Sequence, residues 1–209
     1  MTDERPALLR VVEVMDRLRS PGGCPWDADQ THSSLAPYLI EEAYETLEAI
    51  ETADLIGLRE ELGDLLLQVL FHARLAEEAD EPVRFSIEEV AADLEAKLTR
   101  RHPHVFADVQ VSGAEEVSAN WDQIKQSEKR RASVTDGIAM GQPALALAAK
   151  LVSRTAKSGR AVDPPSGDGF GERLFALVAE AVQAGIDPEL ALRDTARSYR
   201  DQVRRQEGL

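Results

Sequence analysis

Between Ser33 and Leu58 the chain has no Lys or Arg, yet it carries Glu41, Glu42, Glu45, Glu48, Glu51 and Asp54. At helical spacings of three and four residues, like charges repel by about a few tenths of a kcal/mol per pair. A run this acidic asks for a positive charge from outside the segment. The stretch that follows, residues 58–76, is apolar around nearly the whole helical circumference through Leu58, Leu62, Leu65, Leu66, Leu67, Val69, Leu70 and Phe71, which predicts a buried helix. One stripe interrupts it, formed by Glu61, Asp64, Gln68 and His72 at i, i+3, i+7 and i+11. Carboxylates on a buried helix are rare unless paired or bound to a metal. Two antiparallel helices joined by a short turn near residues 54–57 bring Glu42 and Glu45 towards Glu61 and Asp64. Four carboxylates without a local cation suit a hard, oxygen-seeking divalent ion, Mg2+ with Mn2+ as its substitute. The competing reading is a solvated acidic face plus one tolerated polar stripe, and it is the reading for Glu48, Glu51 and Glu60.

The rest of the pattern is helical throughout, with no long β-branched alternation, so the fold class is all-α. Leu8, Leu9, Val12, Met15 and Leu18 mark a first helix that Ser20, Pro21, Gly22 and Gly23 end. A loop from Cys24 to His32 follows. Pro37 falls where the first acidic helix should open, a position that tolerates a missing N–H. The second acidic helix runs to about Glu78. Ser86 with Glu89 reads as a capping box opening a third helix, which Pro103 stops. On its last turns Lys97 and Arg101 stand at i, i+4, so both side chains can reach one anion. A fourth helix near residues 114–131 repeats the spacing with Trp121 and Lys125, a flat aromatic surface beside a cation. The pattern lapses over residues 132–142, and Pro143 opens a further helix that Gly159 closes.

The last stretch contains an internal repeat. GFGERLFALVAEA, Gly169 to Ala181, aligns on ELGDLLLQVLFHA, placing Gly169 where Glu61 stands and Glu172 where Asp64 stands. The EExxE helix has no counterpart there. The expected organisation is a catalytic domain over residues 1–131, a linker over 132–142 and a degenerate second copy over 143–209 that binds no catalytic metal.

A net charge of −14 argues against a nucleic-acid partner, whose phosphates need clustered Lys and Arg. No apolar run approaches the ~20 residues of a membrane span. The first ten residues are too polar for a signal peptide, and Cys24 is the only cysteine, which fits a reducing cytoplasm.

These motifs resemble the MazG family of nucleoside triphosphate pyrophosphohydrolases. The resemblance covers residues 8–130 in five blocks in the family's order: GCPWDADQTH from Gly23, PYLIEEAYE from Pro37, ELGDLLLQVLFHAR from Glu61, KLTRRHPHVF from Lys97 and WDQIK from Trp121. It implies hydrolysis of a nucleoside triphosphate between its α and β phosphates, in nucleotide-pool house-cleaning, at Mg2+ held by Glu42, Glu45, Glu61 and Asp64. Glu41 becomes the residue that activates or orients the attacking water. Lys97, Arg101 and Lys125 become triphosphate contacts, Tyr38 and Trp121 nucleoside contacts, and Trp26 and Asp27 supports of the site. It also implies a homodimer, or a dimer of dimers, in which hairpins from two chains make a four-helix bundle that covers the apolar second helix. Two rival readings fit the pattern less well. A di-iron carboxylate bundle wants Glu-x-x-His, and none of the four histidines has Glu three residues before it. A non-catalytic regulatory or partner-binding module that keeps the fold would have lost its ligands, and here all four acids are present.

Overall fold

Two long helices joined by three residues frame the first half of the chain. In a computed structural model, which describes residues 5–129, 132–159 and 162–209, every regular element among the described residues is helical. The elements are α1 (Ala7–Arg19), α2 (Pro25–Asp29), α3 (His32–Glu51), α4 (Leu55–Ala76), α5 (Ile87–Arg101), α6 (Pro103–Phe106), α7 (Ala114–Lys129), α8 (Ala144–Lys157), α9 (Phe170–Gln183) and α10 (Pro188–Gln206). The chain forms two compact units, residues 1–121 and 122–209, and the division falls inside α7. The domain limit expected at residue 131 lies outside the described residues.

In the first unit α3 packs along α4, α1 crosses α4 beside α2, and α5 closes on the end of α4. The core is Met15, Leu35, Leu70 and Phe71, ringed by Val11, Val12, Leu18, Leu66, Leu75 and Ile87. Burial of such side chains is worth about 1.5–3 kcal/mol each, so α1 is held to the hairpin by its apolar face. Arg19, at the end of α1, adds a polar tie. It donates to the Glu78 carboxylate at 3.0 and 2.8 Å and to the backbone carbonyls of Asp27 and Gln30.

The hairpin's turn is set locally. The Asp54 side chain accepts from the backbone N–H groups of Ile56 and Gly57 at 3.1 and 3.0 Å, capping α4. A Cβ on Gly57 would meet that carboxylate at 2.7 Å, so a side chain there would displace the cap. Ala53 takes a left-handed φ of 57°, and Asp54 N–H returns to Ala49 C=O at 2.9 Å, which ends α3 as a left-handed cap.

Two expectations need correction. Pro37 does not open α3: a Thr31–Ser34 capping box starts the helix at His32, and Pro37 sits inside it. Two side chains satisfying free N-terminal donors outweigh the single N–H that proline lacks. Nor is α4 buried all round within one chain. Its buried residues are Gln68, Leu70, Phe71, Ala73 and Ala76, whereas Leu62 is 52% and Ile56 83% exposed. Only the side towards α1 and the α3 seam is covered by this unit.

In the second unit α8, α9 and α10 pack on one another. Asp187 caps α10 through the N–H groups of Glu189 and Leu190.

Candidate active site

The antiparallel pairing of α3 and α4 has a register that the acids themselves report. The Glu42 carboxyl is held above its ordinary value of 4.5, first by partial burial and then by the charge of Asp64, with Glu45, Glu61 and Glu41 following. Glu61 is raised as well, first by desolvation, then by Glu45, Glu60 and Asp64. Counted back equally from the two ends of the turn, Glu51 and Leu55, Glu42 stands about level with Asp64, and Glu45 with Glu61. The two tiers are separated by three residues on each helix, nearly one turn.

One carboxylate oxygen each from Glu42, Glu45 and Glu61 lies within 4.8 Å of the other two. None of the four acids makes an ion pair or side-chain hydrogen bond among the described residues. Glu42, Glu61 and Asp64 are half-buried, Glu45 exposed. Oxygens bound to one Mg2+ at about 2.1 Å lie no more than about 4.2 Å apart, so small rotations of flexible glutamates would close the group around an ion. The donor set is all oxygen and all anionic, which fits Mg2+ or Mn2+ and not a soft metal.

Tyr38 lies one turn before Glu42 on α3. Its ring, 41% exposed, meets the Trp26 ring edge-on at 6.2 Å. Trp26 is itself half exposed and forms a wall beside Tyr38. Glu41 is exposed next to the acids. Lys97 is half-buried on α5, while Arg101, one turn later, is 9% exposed with its guanidinium over the Trp121 ring at 5.3 Å. The structure thus joins Arg101 to Trp121, a pairing that the spacing of neither residue announces. It also adds His102, to which the sequence pattern assigns no role. The His102 ring meets Trp121 edge-on at 4.9 Å, and its Nδ1 lies 2.7 Å from the Leu98 carbonyl, so that nitrogen carries the proton. The only signal was its place beside Arg101. Lys125 lies four residues beyond Trp121 on α7, past the division between the units. Asp27 sits in the first turn of α2.

With this geometry in place, similarity to known proteins decides the family. The model of the MazG nucleotide pyrophosphohydrolase domain matches residues 30–106. A protein of Thermotoga maritima called nucleoside triphosphate pyrophosphohydrolase/pyrophosphatase MazG is 37% identical over 95% of this chain and 85% of its own length. The chain belongs to the MazG nucleotide pyrophosphohydrolase family. The expected all-α fold and the expected class of hydrolase both stand. An uncharacterised 26.1 kDa protein of Streptomyces cacaoi is 53% identical over 96% of this chain and 83% of its own length. A nucleoside triphosphate pyrophosphohydrolase of Mycobacterium tuberculosis is 43% identical over 94% of this chain, which spans 57% of that relative's length. The matched MazG segment takes in α3, α4, α5 and α6, so it contains all four acids and Tyr38, Lys97 and Arg101.

Proposed function

We propose that this chain hydrolyses nucleoside triphosphates between the α and β phosphates, giving the monophosphate and pyrophosphate, at a Mg2+-dependent site. Glu42, Glu45, Glu61 and Asp64 hold the metal. The observation that carries the reading is the gathering of carboxylate oxygens from two helices within 4.8 Å, with no ion pair to them among the described residues, in a chain of the MazG family. Without a counter-ion, that arrangement costs free energy, because burial and the charges of neighbouring acids raise the pKa values of Glu42 and Glu61. When bound, Mg2+ supplies positive charge against the phosphoryl oxygens and lowers the pKa of water.

The remaining steps belong to the chain. Glu41, beside the ligands, orients the attacking water and takes its proton as oxygen adds to phosphorus and the bridging P–O bond breaks. Lys97 and Arg101 offset the charge of the polyphosphate, and the family resemblance gives Lys125 the same role. Tyr38 and Trp121 line the nucleoside end, where Arg101 stacked on Trp121 fixes that ring. The substrates are ribo- or deoxyribonucleotides, including damaged forms, and the role is house-cleaning of the cytoplasmic nucleotide pool. No helix among the described residues is long and apolar enough to cross a membrane.

The chain works as a homodimer or dimer of dimers. Ile40, Ile50, Ile56 and Leu62, on the outer sides of α3 and α4, are each more than half exposed. A second hairpin laid across them makes a four-helix bundle. Residues 143–209 form the degenerate second copy.

Pyrophosphate release from a panel of normal and oxidised nucleotides with Mg2+ tests the activity. Turnover by the wild type and near-complete loss in Glu42→Gln are expected. Absence of pyrophosphate from every nucleotide, or full activity in Glu42→Gln, would overturn the reading.

A further inference from the structure

We infer that Gln68 reads the nucleoside: its side-chain amide, one turn beyond Asp64 on α4, hydrogen-bonds the base or sugar of the bound nucleotide. The inference rests on the proposed nucleotide site and extends it to a residue that neither metal nor phosphate chemistry uses.

Gln68 is only 4% exposed, yet its Oε1 is buried without a hydrogen-bond partner. A buried amide left unpaired costs about 1–3 kcal/mol, and such groups in folded proteins ask for an explanation. Exchanging the amide's oxygen and nitrogen merely changes which atom is orphaned. The Thr46 hydroxyl is also buried and unpaired, but a helical threonine cures this by rotating towards the carbonyl four residues back. Gln68 has no such remedy.

Its place decides what the missing partner is. Glu61, Asp64, Gln68 and His72 share one face of α4. Counting back equally from the ends of the three-residue turn, Glu51 and Leu55, sets Glu45 opposite Glu61 and Glu42 opposite Asp64. The same register carried one turn further sets Gln68 level with Tyr38, whose half-exposed ring leans on Trp26. One helical turn is about 5.4 Å, the order of the step from an α-phosphate to its nucleoside. A second orphan lies beyond: His72 Nε2 is buried and unpaired, while its Nδ1 meets His32 Nδ1 at 2.8 Å. Thus the acids end where the uncharged, unsatisfied polar groups begin. Phosphates need cations, and a neutral amide suits the neutral hydrogen-bonding edge of a base or a sugar hydroxyl.

The test separates the nucleoside from the phosphates. Gln68→Met keeps length and bulk and removes both polar atoms. Binding of an α,β-methylene nucleoside triphosphate and of inorganic tripolyphosphate is measured by calorimetry with Mg2+, in the wild type and the variant. The variant should bind the nucleotide analogue about tenfold more weakly, the loss of one hydrogen bond, and tripolyphosphate unchanged. Comparing ribo- with deoxyribo-analogues, and one base with another, tells which part of the nucleoside the amide contacts. Equal weakening towards both ligands would make Gln68 a support of the metal cluster and overturn the inference; so would no change towards either. If the wild type binds neither ligand, the site reading itself fails and the inference with it. Should Gln68→Met not fold, the side-chain amide resonance of Gln68 in the wild type serves instead. It should shift with the nucleotide analogue and not with tripolyphosphate, and a shift with both or neither refutes the role.

Discussion

Replacing Glu42 by Gln should move stability in opposite directions with and without metal, and that crossing is the sharpest test of the acidic cluster. Two carboxylates 4.8 Å apart, the outer limit for the oxygens of Glu42 and Glu45, repel by about 0.9 kcal/mol at the dielectric of water. Salt and side-chain freedom reduce this, while Asp64 and Glu61 add to it, so relief of about half to one kcal/mol is the expected gain for the metal-free variant. A protein of this size shifts its Tm by about 2–4 °C per kcal/mol, so Glu42→Gln should melt about 1–4 °C above the wild type in EDTA. With free Mg2+ at a hundred times Kd, the wild type gains about 2.7 kcal/mol, or roughly 5–10 °C, while the variant, having lost one of four ligands, gains little. Thermal melting by circular dichroism, with and without Mg2+, measures both arms. A merely solvated acidic face would give the first shift and no metal response. If Mg2+ raised the variant's Tm as much as the wild type's, the assignment of Glu42 as a ligand would fail.

The pH dependence follows from the same charges. Glu42 and Glu61 have pKa values raised above 4.5 in the folded state, so the folded protein holds protons that the unfolded chain releases. Their effect is a loss of metal-free stability as pH rises from 4.5 through the raised values, and Glu42→Gln should flatten that slope in melts between pH 4.5 and 7; an unchanged slope would contradict it. Glu78 behaves oppositely: the hydrogen bond from Arg19 lowers its pKa, so it adds stability above 4.5 that is lost as pH falls through the lowered value. Arg19→Met should cost about 2–3 kcal/mol in urea unfolding at pH 7, since the Arg19 side chain is 4% exposed and binds both Glu78 and two backbone carbonyls; a cost below half a kcal/mol would refute the tie. Ile40→Asp should convert a dimer at micromolar concentration into monomer in light scattering, because Ile40 is 59% exposed on the apolar flank of α3; a wild type that is already monomeric would remove the proposed interface.

Much of this was legible in the chain itself. The i, i+3 spacing of Glu42 with Glu45 and of Glu61 with Asp64, the missing Lys and Arg, and the apolar circumference around the second pair follow from helical periodicity, a local property. The cap at Ser86 could be read for the same reason, since its partners lie within three residues. Even local reading failed at Pro37, where the Thr31–Ser34 pair was a stronger start signal than the proline. What periodicity could not supply was the level at which two helices meet. The three-residue turn, with Ala53 in a left-handed conformation and Asp54 capping α4, sets that level and places Glu42 against Asp64 and Glu45 against Glu61. The packing of Arg101 over the Trp121 ring and of His102 edge-on against it joins residues about twenty positions apart, and nothing in either segment encodes it alone. Gln68 shows the division plainly. Its place on the acidic stripe is a matter of spacing, but its burial without a partner exists only once α3 and the core have closed over it.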